Sequence, residues 1–175
     1  MKAISQMNLG ELAAYVCSHL DCRGIKVVLS GGGCVAIYAS DRYSSMDLDF
    51  IDRLHTTRRQ LKAALEEIDF REQNRYFVHP ETQFFLEFPS GPLAVGSEPV
   101  AVVEELHLET GTLRLLSATD CVKDRLAAFY YWNAGSAFSR RYGWLWSGML
   151  TGMRSNGGRD RRGRWINTTY SGSEA

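Results

Sequence analysis

The chain has 175 residues, 45% of them hydrophobic and 23% charged, with 20 basic against 20 acidic side chains. Those proportions fit an ordinary globular domain and exclude, for the molecule as a whole, a strongly basic nucleic-acid binder and an acidic disordered chain. No apolar run approaches the roughly 18–20 residues of a membrane helix. The opening MKAISQMNLGELAAYV lacks a signal peptide's continuous apolar stretch, so the expected location is the cytoplasm.

The charge is uneven. Residues 134–175 hold seven Arg, no Lys and two acids, a balance of +5, which leaves −5 on residues 1–133. The same segment holds eight of the 16 glycines and three of the four tryptophans. The expected organisation is a folded body over 1–133 and an irregular basic tail over 134–175. Cys17, Cys22, Cys34 and Cys121 form no C-x-x-C pair and read as reduced thiols, not as a zinc site.

In chain order, residues 8–22 space Leu9, Leu12, Ala13, Val16, Cys17 and Leu20 as a helix. Asn8 with Glu11 forms a capping-box pattern before it, and Gly24 stops it. Ile25–Leu29 is β-branched and reads as a buried strand. The turn Ser30-Gly31-Gly32-Gly33 leads into a short helix over CVAIYAS. Met46–Ile51 alternates as a second strand, and Thr56 or Thr57 caps an amphipathic helix, RRQLKAALEEI. Extended pieces follow at 70–78, 83–88 and 93–95. A hairpin pairs 102–108 with 112–116 around Glu109-Thr110-Gly111, and Ser117 caps a last helix with Asp120 in the capping-box position. Strands and helices without regular βαβ alternation point to an α+β or irregular α/β domain.

The informative segment is Val27–Asp52. Residues i and i+2 of a strand share a face, so Asp47 and Asp49 project together while Leu48 turns inward. Two adjacent carboxylates repel unless a cation neutralises them, and Mg²⁺ is the natural partner for oxygen ligands alongside substrate phosphates. Glycines before a helix let backbone N–H groups approach a phosphate, where the helix N-terminus adds positive potential. On this reading Gly32→Val destroys activity more than Gly33→Ala, because a β-branched side chain at Gly32 would fill the space a phosphate needs. Taken singly, a D-x-D is often solvated charge and a glycine run a flexible turn; their combination is more specific. The run is not a dinucleotide fingerprint, because Ala36 stands where its last glycine would be.

Leu29-Ser30-Gly31-Gly32 followed by Asp47-Leu48-Asp49-Phe50 resembles the nucleotidyltransferase superfamily, the polymerase-β-like fold. Arg42-Tyr43-Ser44 looks most like the bacterial minimal nucleotidyltransferases and AbiEii-type toxins. The resemblance spans about 25–133 and implies an α+β fold with a mixed sheet flanked by helices. It implies a third carboxylate on a later strand, for which Glu87 in FFLEF is the candidate; the alternative is that Phe85 and Glu87 merely face solvent. Asp52, on the opposite face from Asp47 and Asp49 by alternation, is set aside.

The last helix, with Asp120, Lys123, Arg125 and Leu126, is similar to a family helix whose base reaches the triphosphate. Here the alternative is a plain exposed basic face. Its aromatic end, Phe129 to Trp132, reads as core or interface.

The activity implied is Mg²⁺-dependent transfer of a nucleotidyl group from an NTP to an RNA, protein or small-molecule acceptor, possible in a toxin–antitoxin setting. Asp47, Asp49 and Glu87 would be the catalytic and metal-binding set. Ser30, Gly31, Gly32, Arg42, Lys123 and Arg125 would bind nucleotide. The rival is a catalytically inactive binding or regulatory protein with this fold. The tail departs from the family. It reads either as an RNA-binding arm, with Arg interleaved among Trp and Tyr, or as an out-of-frame end.

Overall fold

The computed structural model describes residues 2–39, 43–96 and 98–131, with the backbone alone for 129–131. Arg42, the aromatic side chains from Phe129 onward and the whole basic tail lie outside the described residues.

Helix α1 (Leu9–Cys22) starts on Asn8, whose side chain accepts from the Glu11 N–H at 3.0 Å, while Glu11 accepts from the Asn8 N–H at 2.9 Å. This reciprocal box satisfies two donors that a helix start leaves unpaired. Strand β1 (Val27–Ser30) follows and runs directly into helix α2 (Gly31–Ala39). The glycines are thus the first turn of the helix and not a separate loop before it, a correction to the sequence reading. Strand β2 (Asp47–Asp52) leads to helix α3 (Arg58–Glu66), capped by Thr57 with Gln60.

The expected single extended piece over 70–78 is a hairpin, β3 (Arg71–Gln73) and β4 (Tyr76–Val78). It turns at Asn74, whose φ of 57° suits a short polar side chain. Strand β5 (Phe85–Glu87) precedes a small separate pair, β6 (Ala94–Val95) and β7 (Glu98–Pro99). The last hairpin is β8 (Val103–Leu108) with β9 (Gly111–Leu116), and helix α4 (Ala118–Tyr131) begins on Ser117, whose Oγ accepts from the Asp120 N–H at 3.1 Å.

The main sheet has seven strands in the order β3-β4-β5-β2-β1-β9-β8. It is mixed: β1 runs parallel to β9 and β2 to β5, and the remaining neighbours are antiparallel. Among the described residues four α-helices lie against it, and the class is α+β, as expected. Register explains the core. Phe77 pairs with Leu86 and Leu86 with Leu48, while Phe50 pairs with Leu29 and Leu29 with Leu115; all are fully buried. Leu12, Val16 and Leu20 of α1 and Leu61 and Leu65 of α3 join the same cluster. Burying side chains of this size stabilises the fold by about 1.5–3 kcal/mol each before entropy is counted. Among the described residues no helix is long and apolar enough to cross a membrane, and the four thiols are free, three of them buried.

Candidate functional site

Because Leu48 and Phe50 are committed to the core, strand alternation turns Asp47 and Asp49 to the other face, both partly exposed. Ser30 pairs with Asp49 across the antiparallel β1–β2 ladder, and Asp49 pairs with Glu87 across the parallel β2–β5 ladder. Ser30, Asp49 and Glu87 therefore occupy one cross-strand row, with Tyr76 next beyond Glu87. The Ser30 hydroxyl donates to the Asp49 carbonyl oxygen at 3.2 Å.

The glycines bring α2 down onto this row. Gly31 has φ +63°, and a Cβ built there would fall on the Asp49 carboxylate, 2.8 Å from its Cγ and 3.0 Å from its Cβ. A Cβ at Gly32 would lie 2.9 Å from Ser45 Oγ, 3.2 Å from the Tyr43 hydroxyl and 3.6 Å from Asp47 Oδ1. At Gly33 it would meet the Asp47 carbonyl oxygen at 2.8 Å and Leu48 Cδ2 at 3.0 Å. Gly33 is thus confined mainly by backbone, and Gly32 by the side chains of Ser45, Tyr43 and Asp47; both are buried. The left-handed backbone is at Gly31, not at Gly32.

The charges are unequal. Asp47 accepts from the Ser45 hydroxyl. Among the described residues nothing donates a hydrogen bond to the Asp49 carboxylate. Burial first, then the charges of Asp47 and Glu87, push its acid up from 3.8 to about 6, with Arg125 pulling the other way. Glu87 is paired with Arg75, Oε1 to Nε 3.3 Å. Arg75 in turn lies 4.8 Å over the Tyr76 ring, which meets Phe85 edge-on at 4.9 Å.

The bases of α4 divide. Lys123 is half exposed, pairs with Asp120 at 3.5 Å, and lines a cavity that includes none of Asp47, Asp49 and Glu87. Arg125 is mostly buried, pairs with Asp124 at 2.6 Å, and its charge reaches Asp49. Sequence reasoning missed Arg75, Ser45, Asp124 and the Tyr43 hydroxyl. Ser45 lies two residues before Asp47, and proximity could have flagged it. Arg75 becomes visible only once β4 is registered against β5. Asp52, set aside on alternation, has both oxygens engaged by the backbone N–H groups of Leu54, at 3.0 Å, and Thr56.

Asp47, Asp49 and Glu87 fit a hard divalent cation in donor type and in register. They are not gathered to a common ligand distance: among the described residues no group of three or more His, Cys, Asp or Glu side chains is placed to hold a metal ion. Two cavities, of about 410 Å³ beside Arg23, His55 and Glu67 and about 390 Å³ beside Val102, Asp120 and Lys123, do not include the carboxylates.

No protein-family model matches the chain. No curated protein matches it either. Among solved structures it is similar to a solution structure of the antibiotic-resistance factor ANT(2'')-Ia, at TM-score 0.41 and 15% identity over 82% of this chain and 97% of that one. It is similar also to a crystal structure of ANT(2'')-Ia in complex with adenylyl-2''-tobramycin, at TM-score 0.41 and 14% identity over the same shares.

Proposed function

We propose that this chain transfers a nucleotidyl group from an NTP to an acceptor, using a Mg²⁺ site at Asp47 and Asp49 that Glu87 completes. The observation that carries this reading is the close approach of Gly31 to Asp49. Helix α2 begins against an acid crowded by two others, to whose carboxylate no described group donates a hydrogen bond. A helix start free of side chains favours phosphate, and adjacent carboxylates that repel one another favour a cation; a metal–triphosphate supplies both at once.

The residues then take distinct roles. Ser30 and the N–H groups at Gly31 and Gly32 hold the terminal phosphates, with Arg125 as a charge partner from α4 and Arg42 as a further candidate. Asp47 and Asp49 fix the cation and thereby the triphosphate. The acceptor oxygen forms a bond to the α-phosphorus, the bond from that phosphorus to the oxygen bridging the β-phosphate breaks, and pyrophosphate leaves. Glu87 takes the acceptor proton. The cation, when bound, neutralises charge on the attacking and leaving oxygens. Everything else is positioning, as in phosphoryl transfer generally. The acceptor classes that suit this chemistry are an RNA end, a protein hydroxyl and a small polyhydroxy molecule. A cytoplasmic toxin–antitoxin role goes with the first two.

The Arg75–Glu87 pair favours a second reading, an inactive protein of this fold that binds nucleotide without turning it over. One experiment separates the two. The full chain is incubated with Mg²⁺ and each α-labelled NTP, offering total RNA, protein and aminoglycosides as acceptors. Label transferred by the natural chain and lost in Asp49→Asn supports transfer. Nucleotide binding with no transfer to any acceptor supports the inactive reading, and neither binding nor transfer removes both.

A further inference from the structure

We infer that Arg75 is a positioning residue for Glu87, a latch that keeps its carboxylate off the Asp47–Asp49 pair until a divalent cation takes it over. The inference rests on the proposed metal site and adds how that site assembles.

Three observations meet here. Register makes Glu87 the direct cross-strand neighbour of Asp49, on the same sheet face. Yet the three acids do not stand as a ligand group. What occupies Glu87 instead is the Arg75 guanidinium at 3.3 Å, supplied by the residue just before Tyr76, which is the direct cross-strand partner of Glu87.

The latch is weak by construction. The Arg75 side chain is 69% exposed. Exposed ion pairs of this kind shift an equilibrium by less than about fivefold, because water screens them and two long side chains must be held still. A divalent cation between several carboxylates easily exceeds that. Arg75 also has a second place to rest, since it already lies 4.8 Å over the Tyr76 ring, and a cation over an aromatic face is favourable without Glu87. Glu87 can thus exchange a monovalent partner for a divalent one while Arg75 keeps its aromatic contact.

The test uses Mn²⁺ alone, without nucleotide, titrated into the full chain while free Mn²⁺ is followed by electron paramagnetic resonance. Arg75→Gln removes the competitor and binds Mn²⁺ about two- to fivefold more tightly than the natural chain. Glu87→Gln binds more weakly, and Arg75→Gln added to Glu87→Gln brings no further gain, because the latch has nothing to hold. Circular dichroism confirms that the variants fold. Equal or weaker Mn²⁺ binding by Arg75→Gln overturns the inference while leaving the metal site standing. So does a gain that persists in the Glu87→Gln background, which would make Arg75 a diffuse positive field. If neither the natural chain nor Arg75→Gln binds Mn²⁺, the latch and the nucleotidyl-transfer reading fall together.

Discussion

Strand β1 is entered over Gly24 and left over Gly31, and both glycines have left-handed backbones, at φ +76° and +63°. Around Gly24 a Cβ would meet open space; at Gly31 it would land on Asp49. The neighbouring strand repeats the contrast. Asp52, at the Gly24 end, gives both oxygens to backbone N–H groups of the loop that follows it. Asp49, at the Gly31 end, faces Asp47 and Glu87. One end of the β1–β2 pair is therefore closed upon itself. At the other, burial and two neighbouring acids crowd one carboxylate, with Arg125 opposing them only in part, and acids perturbed in this way are enriched at functional sites.

The comparison breaks first at the glycines. Gly24→Ala introduces only the left-handed strain of a side chain, about 1–2 kcal/mol. Gly31→Ala carries that strain plus overlap with Asp49. Because the new Cβ would stand 3.0 Å from the Asp49 Cβ, rotating the carboxylate does not relieve it. The expected loss is about 2–4 kcal/mol, read from denaturant midpoints. Equal losses at both positions would erase the distinction between the ends.

Asp49→Asn sharpens it, with the opposite sign. The fold holds the Asp49 acid at about 6 against an ordinary 3.8, so it favours the protonated form. Stability from this group is then greatest at low pH, declines as pH rises between about 4 and 6, and stays low above that. The shift corresponds to about 3 kcal/mol. Metal-free Asp49→Asn should match the natural chain near pH 4 and exceed it by about 2–3 kcal/mol at pH 8. Urea titrations at the two pH values check this. A variant less stable at pH 8 would make Asp49 a structural acid like Asp52.

At the closed end, Asp52→Ala strips two backbone N–H groups of their acceptor and costs about 1–2 kcal/mol, with Mn²⁺ binding unchanged. Weakened Mn²⁺ binding would bring Asp52 into the site and undo the comparison.

The sequence made one end far more legible than the other. Alternation alone placed Asp47 and Asp49 together, because Leu48 and Phe50 have a core to enter. Glu87 was reachable as an acid within an aromatic strand. The capping boxes at Asn8 and Thr57 were readable for the same local reason, since donor and acceptor lie three residues apart. What local pattern did not carry was partnership between distant segments. The hairpin at Asn74 was missed because Arg71–Val78 carries no glycine to mark its turn. Arg75 was missed with it, since its tie to Glu87 exists only across the β4–β5 ladder. The confinement of Gly33 was hidden similarly, as it depends on the Asp47 carbonyl lying against α2.

The smallest expected effect concerns Lys123, which the family resemblance set beside Arg125. Two residues apart on a helix point about 200° apart. Lys123 accordingly sits on the Asp120 side, 52% exposed, against the cavity lined by Val95 and Pro99. Arg125 is 24% exposed beside Asp124, with its charge felt at Asp49. Lys123→Ala removes an exposed i,i+3 pair worth at most about 0.5 kcal/mol, and Mg²⁺–ATP affinity should stay within about twofold. Arg125→Gln removes a charged partner where burial makes charge count, and affinity should fall by about tenfold or more. Calorimetric titration of Mg²⁺–ATP into the three full-length proteins compares them. Should Lys123→Ala lose as much as Arg125→Gln, nucleotide must reach across α4 to the Asp120 side, and the site would extend well beyond the row from Ser30 to Glu87.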